Sequence, residues 1–391
     1  MSHEALQAAQ LLAQAVEQTG LGDWGEADFE TRFTAAVDAI NAQGLDQAGL
    51  QLAEETVLGL LADRLRFFED AKTHQLNEEI IERPLFITGE ARSGTTLLHA
   101  LLASDPNNRA LRFWAVMQPS PPPGLAKADD PRFALADQYW REINTRLPQW
   151  LRSHPYNDML GDGLAEDERT WAMDFRVMTP TAWWRVPMGM VVSGIADNPQ
   201  QQYRIHKMML QAIQHQQPQK HWVLKGFHAG RFAALFEAYP DAQVIYLHRE
   251  PLTCIASRIQ MAADITAGLL GASGVDMTAL SKLHTQLGSA AFEALPHNAW
   301  MQDSRVHSCL YTDFVADPTR FIGQIYDRVG RSLTDQARAA IGNYLTQNKP
   351  DRYGRFEYSR DLIAGDIRAL SDRLEPYRER FGLPSPEYLS Q

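Results

Sequence analysis

The stretch Gly89-Glu90-Ala91-Arg92-Ser93-Gly94-Thr95-Thr96 puts two glycines, one guanidinium and three hydroxyls between the apolar runs PLFIT and LLHALLA. Glycines let a chain turn tightly and expose amide N–H groups, which can converge with a following helix terminus on a phosphate or sulfate. The spacing is that of G-x-x-x-x-G-K-[ST], but Thr95 stands at the lysine position, which weakens an ATP- or GTP-hydrolase reading. Arg92 supplies the positive charge instead: its planar guanidinium can hold two anionic oxygens, and Thr95 and Thr96 can donate through their hydroxyls. Arg249, directly after VIYLH, is a second basic point, with Ser257 further on. A helix beginning at Pro251 would put Arg249 at its start and Ser257 along it, a pairing suited to a terminal phosphate.

These residues need strands to deliver them and helices to hold them. PLFIT, HWVLK and VIYLHR read as short strands, each followed by a helical segment: one ending near Ser104, AGRFAALFEAYP, and one from Pro251 through CIASRIQM. SCLYTDF is a further candidate strand and TRFIGQIYDRVG another helix. This order predicts an α/β fold, P-loop-like, with a mainly parallel central sheet flanked by helices. Residues 1–78 have helical periodicity, with breaks near Gly20 to Trp24 and Asn41 to Gly49, and are expected to pack on the core formed by residues 79–391. Residues of about 106–220 are rich in proline and aromatics and are expected to form an inserted helical region shaping a pocket. There Trp183, Trp184 and Arg185 would supply an aromatic floor and polar edge. Trp171 and Phe175, four residues apart, are expected to share one helix face in the core.

Composition narrows the function classes. The 391 residues are 45% apolar and 22% charged, as in a soluble globular protein. Lys and Arg total 37 against 48 Asp and Glu, and 37 − 48 gives −11, which argues against a nucleic-acid partner. A local basic pocket for a phosphorylated small molecule remains compatible with that balance. Cys254 and Cys309 are too few for a disulfide framework or a cysteine zinc site, so a cytoplasmic location is expected. The N-terminus lacks signal-peptide character, and the longest apolar run, near GMVVSGIA, is too short for a transmembrane segment.

The blocks PLFITGEARSGTTLLHALLASDP, HWVLKGFHAGRFAALFEAYPDAQVIYLHREPLTCIASRIQM and YTDFVADPTRFIGQIYDRVG resemble those of bacterial PAPS-dependent sulfotransferases. The similarity runs over about Pro84 to Gly330 and continues to YGRFEYS. It implies transfer of a sulfuryl group from 3′-phosphoadenosine 5′-phosphosulfate (PAPS) to a hydroxyl or amine of a small-molecule, lipid or glycan acceptor. The product would be 3′-phosphoadenosine 5′-phosphate (PAP). No metal is expected, because the donor is already an activated mixed anhydride. By resemblance, Gly89, Ala91, Arg92, Ser93, Gly94, Thr95 and Thr96 form the 5′-phosphosulfate loop, and Arg249 with Ser257 the 3′-phosphate pair. Lys225, with Arg92, would stabilise charge during transfer, and Arg355 in GRFEY would approach the 3′-phosphate.

The resemblance leaves the proton acceptor open. Related sequences carry a carboxylate after a tryptophan beyond the loop helix, whereas this chain has Trp114-Ala115. Glu166 in GLAEDERTW is the first candidate, inseparable by sequence from Asp167 and Glu168. His154 in SHPYND is the second, and His228 the third, three residues after Lys225 where the family spacing is one longer. Gly226-Phe227 also replaces the usual serine-proline step. These departures would suit a noncatalytic nucleotide-binding protein that retains the fold; a kinase or NTPase is the further alternative.

Overall fold

The computed structural model describes residues 5–127, 129–178, 191–192, 198–349 and 352–384. Three helices, α1 (Ala8–Thr19), α2 (Phe29–Asn41) and α3 (Gln47–Thr73), open the chain and bury their apolar stripes on one another. The chain then enters β1 (Leu85–Thr88), followed by α4 (Thr95–Ala103). The segment after it contains β2 (Asn108–Arg109), α5 (Phe113–Met117), α6 (Pro131–Arg146), α7 (Trp150–Ser153), the two-residue strands β3 (Val177–Met178) and β4 (Val191–Val192), and α8 (Pro199–Gln214). Next come β5 (His221–Lys225), α9 (Phe232–Ala238), β6 (Gln243–His248), α10 (Pro251–Leu270), α11 (Met277–Ala294) and β7 (Val306–Leu310). Helices α12 (Tyr311–Ala316), α13 (Pro318–Arg328) and α14 (Asp335–Gln347) follow.

The main sheet has the order β2-β5-β1-β6-β7 with all pairs parallel, matching the expected α/β architecture. Strand side chains alternate between faces. Phe86, Leu224, Val244 and Tyr246 therefore join one core with α8, α9 and α10, while Leu85, Ile87, Val223 and Ile245 join another with α4 and α13. Burial on both faces explains why these strands read as continuous apolar runs.

The region of about 106–220 differs from a purely helical insertion: it opens with β2, which forms the sheet edge against β5, and includes the β3–β4 pair. Trp171 and Phe175 also part company. Asp167–Asp174 is a 3-10 helix with three residues per turn, so positions four apart do not stack as in an α-helix. Trp171 lies edge-on to Tyr203, whereas Phe175 inserts between Phe29 and Phe33 of the N-terminal core.

A buried charge network reinforces that junction. Arg32 and Arg64 are fully buried; Arg32 donates to the Asp174 side chain and carbonyl at 2.9 Å, and both arginines pair with Glu26. Arg64 also donates to the Met173 carbonyl at 3.1 Å. The far end of the 3-10 helix is thus clamped by the N-terminal helices. Removing one partner strands buried charge, so Arg64→Ala is expected to lower unfolding free energy by about 3–5 kcal/mol, measured by urea denaturation.

Candidate active site

β1 delivers the chain to Gly89, and the turn hands it to α4 with Gly94 as the N-terminal cap. Gly94 has φ 96°, and a Cβ there would lie 2.6 Å from the Tyr311 ring, so the position requires glycine. Arg92 also has positive φ, 73°, a conformation costing a non-glycine residue on the order of 1–3 kcal/mol and typical of functional turns. First-turn amides of α4 have no intrahelical acceptor, and buried Ser93 Oγ has no hydrogen-bond partner. Such donors suit the oxygens of a tetrahedral anion.

β6 ends beside β1 and places Arg249 against the turn. Its guanidinium donates to the Arg92 carbonyl at 2.8 Å and lies 4.2 Å from the Tyr311 ring centre. Arg92 Nε donates to Ser257 Oγ at 3.0 Å. Arg92 is thus joined to both members of the Arg249–Ser257 pair, through its backbone carbonyl to Arg249 and through its guanidinium to Ser257. Arg355 is exposed, and its neighbour Phe356 is the residue of that segment meeting the loop, with its ring centre 4.9 Å from the Arg92 guanidinium.

A cavity of about 350 Å³ opens beside the turn. Ala91, Arg92, Thr95 and Thr96 line one side; Phe113, Trp140, Trp150 and Met261 give the other an apolar wall. Lys225, Glu166, Glu168 and His154 also face it. Trp183, Trp184 and Arg185 lie outside the described residues.

Three consecutive acids take three directions. Glu166 pairs with the Lys225 ammonium at 2.5 Å. Asp167 is fully buried and meets His228 Nε2 at 2.9 Å; burial opposes its ionisation, but His206 and His228 hold its carboxyl below the usual range. Glu168 enters the cavity, with Oε1 accepting from the Phe227 amide at 2.5 Å. Burial first, then the charge of Glu166, raises the Glu168 pKa.

The histidines separate as clearly. His228 is fully buried, with Nδ1 2.6 Å from Tyr203 Oη and Nε2 on Asp167. Both ring nitrogens are hydrogen-bonded, and His228 is not among the residues lining the cavity, so it lies behind Asp167. His154 borders the cavity, stacks on Trp150 at 3.7 Å and has Nδ1 2.8 Å from Ser153 Oγ. Burial, then the charges of Arg92 and Lys225, push its pKa well below that of an ordinary histidine.

A sequence model of the sulfotransferase family matches residues 84–335, spanning the loop, Lys225, Arg249 and Ser257. The chain belongs to the sulfotransferase family. Its fold is similar to that of sulfotransferase STF9 from Mycobacterium avium, with TM-score 0.79 and 24% identity over 98% of each chain. It is also similar to sulfotransferase STF1 from Mycobacterium tuberculosis H37Rv, with TM-score 0.69 and 24% identity over 95% of this chain and 98% of that one. No curated protein sequence matches it.

Within this sulfotransferase, the residue after Trp114 offers no carboxylate to the site: Ala115 is 2% exposed in the core. Sequence reasoning missed Phe356, the distinct place of Glu168, and Arg352, which lines the cavity and pairs with Asp158 at 2.9 Å. The aromatic in GRFEY was visible, but its contact with Arg92 depends on a long-range fold. Among the described residues, no group of His, Cys, Asp or Glu is arranged to hold a metal, and no helix is long and apolar enough to cross a membrane. His99, on α4, is held by burial at about 4. NMR of isotope-labelled histidine is therefore expected to show His99 and His154 staying neutral between about pH 5.5 and 8, where ordinary histidines titrate.

Proposed function

We propose that the protein transfers the sulfuryl group of PAPS directly to a hydroxyl or amine of a small-molecule, lipid or glycan acceptor. The observation carrying this reading is the connection of Arg92, Arg249 and Ser257 around a phosphate-type turn that opens into the same cavity as Lys225. The turn's amides, with Thr95 and Thr96, would hold the 5′-phosphosulfate. Arg249 and Ser257 would select the 3′-phosphate, which distinguishes this donor from ATP. Arg355 would approach that phosphate from the segment whose Phe356 ring meets the Arg92 guanidinium.

Transfer requires the acceptor atom in line with sulfur and cations where charge develops. Arg92 and Lys225 supply those cations at the cavity. The apolar wall formed by Phe113, Trp140 and Trp150 holds the acceptor body and limits water near the anhydride. Thr95, standing where an NTPase has lysine, leaves the kinase or NTPase alternative without its phosphate-bridging cation.

Metal-free calorimetry tests the donor reading. PAP is expected to bind more tightly than ATP or adenosine 5′-phosphosulfate. Arg249→Ala should weaken PAP binding by about 10- to 100-fold, the loss expected for a charge-assisted hydrogen bond, with little effect on adenosine 5′-phosphosulfate. Equal weakening of both ligands would refute the 3′-phosphate assignment, and absence of PAP binding by folded protein would refute the donor.

A further inference from the structure

We propose that Glu168 takes the proton of the acceptor, held in the cavity by the Phe227 amide across Gly226. This proposal rests on the sulfuryl-transfer reading and names the group which that reading leaves unassigned.

The 3-10 geometry of the acidic segment separates its three carboxylates. Glu166 caps the 3-10 helix Asp167–Asp174, whose period of three residues fans successive side chains apart by about a third of a turn. Glu166 therefore reaches Lys225, Asp167 reaches His228, and Glu168 reaches the cavity. Lys225 neutralises Glu166, and Asp167 is sealed from solvent. Glu168 has a different arrangement: Oε1 is fixed by the Phe227 N–H, while Oε2 is buried with no hydrogen-bond partner. One oxygen is anchored, and the other is enclosed without a hydrogen-bond partner in a residue that lines the cavity.

Gly226 leaves the space that this carboxylate occupies. A Cβ at that position would stand 3.0 Å from Glu168 Oε1, 2.9 Å from His228 Nε2 and 3.1 Å from Asp167 Cβ. The departure of LKGFHAG from the related serine-proline step therefore makes room for this carboxylate.

The surroundings set its basicity. Glu166 faces Glu168 from the same segment, while Lys225 and His228 approach from the end of β5; Asp167 lies between them, and His99 on α4 sits near Asp167, Lys225 and Glu166. Burial and Glu166 raise the carboxyl pKa, with Lys225 and His228 opposing. A raised pKa improves a carboxylate as a base near neutral pH.

The step balances. The acceptor oxygen or nitrogen forms its bond to sulfur as the bond from sulfur to the bridging phosphate oxygen breaks. That oxygen leaves with the electron pair as PAP, the acceptor proton passes to Glu168 Oε2, and the neutral carboxyl later releases it to water.

The test compares wild type, Glu168→Gln and Gly226→Ala. PAP affinity is read by calorimetry, and metal-free conversion of PAPS to PAP is read with water and with 2-naphthol as acceptors. Glu168→Gln should cut kcat about 100-fold or more and abolish the acid limb of the pH profile, in which wild-type activity rises as the carboxyl deprotonates. PAP affinity should stay within about twofold of wild type, because the substituted group touches the acceptor and not the donor. Gly226→Ala should lower kcat by about tenfold or more with the same retained affinity, reporting displacement of the carboxylate. A Glu168→Gln enzyme with wild-type kcat and acid limb would overturn the proposal, as would parallel loss of PAP affinity and turnover. If wild type itself neither binds PAP nor converts PAPS, the donor reading fails and the proposal falls with it; retained PAP binding separates the two failures.

Discussion

The site depends on the register of three parallel strands. Ile87 of β1 lies opposite Lys225 of β5 on one side and Ile245 of β6 on the other, so all three carboxyl ends open on the same edge of the sheet, β5 one residue short of β1 and β6 two residues past it. Neighbouring strands are about 4.8 Å apart, which brings the phosphate-type turn, Lys225 and Arg249 together without a long loop reaching between them. Ligands of open parallel sheets bind beyond these carboxyl ends for the same reason. A slip of one residue would reverse which sheet face receives Phe86 and Ile87, so two apolar cores resist it.

The acidic segment must meet those strand ends from another part of the chain, and it is held from both directions. Asp174, at its far end, enters the Arg32–Arg64–Glu26 network, where both guanidinium groups are fully buried. Asp167, at its near end, joins His228, whose backbone amide also donates to Thr88 Oγ1 at 3.1 Å. The N-terminal helices thus contribute to site geometry without contributing a residue to the cavity. Buried charges are costly to desolvate, and hydrogen bonds to backbone carbonyls offset part of that cost. The arrangement specifies one orientation of the segment, because any rotation would leave several of those charges unpaired.

What the sequence revealed follows from the locality of each signal. The strand-turn-helix around Gly94, the helix starting at Pro251 and the positions of Arg92, Lys225 and Arg249 all rest on short spacings, and each was legible. The edge strand β2 was not, since two residues carry too little periodicity to distinguish a strand from a loop. Trp171 and Phe175 misled because four-residue spacing was read as α-helical, whereas their segment winds with three residues per turn. The connection between Arg92 and Ser257 spans 165 positions, and no local pattern announces a side-chain bond at that separation.

The same distinction explains why three adjacent acids resisted assignment. Their types are nearly equivalent, and their roles are set by partners on β5, on the turn that follows it and on α8 that the fold brings near. Lys225 gives Glu166 a full opposite charge, whereas Asp167 meets two imidazoles, and Glu168 meets a neutral amide. An ammonium compensates a carboxylate charge, while a single amide orients it and leaves burial to act on its basicity. The missing side chain at Gly226 is what lets that amide be reached. The informative feature of LKGFHAG is therefore an absence of atoms, a property that becomes readable only against the coordinates of the carboxylate filling the space.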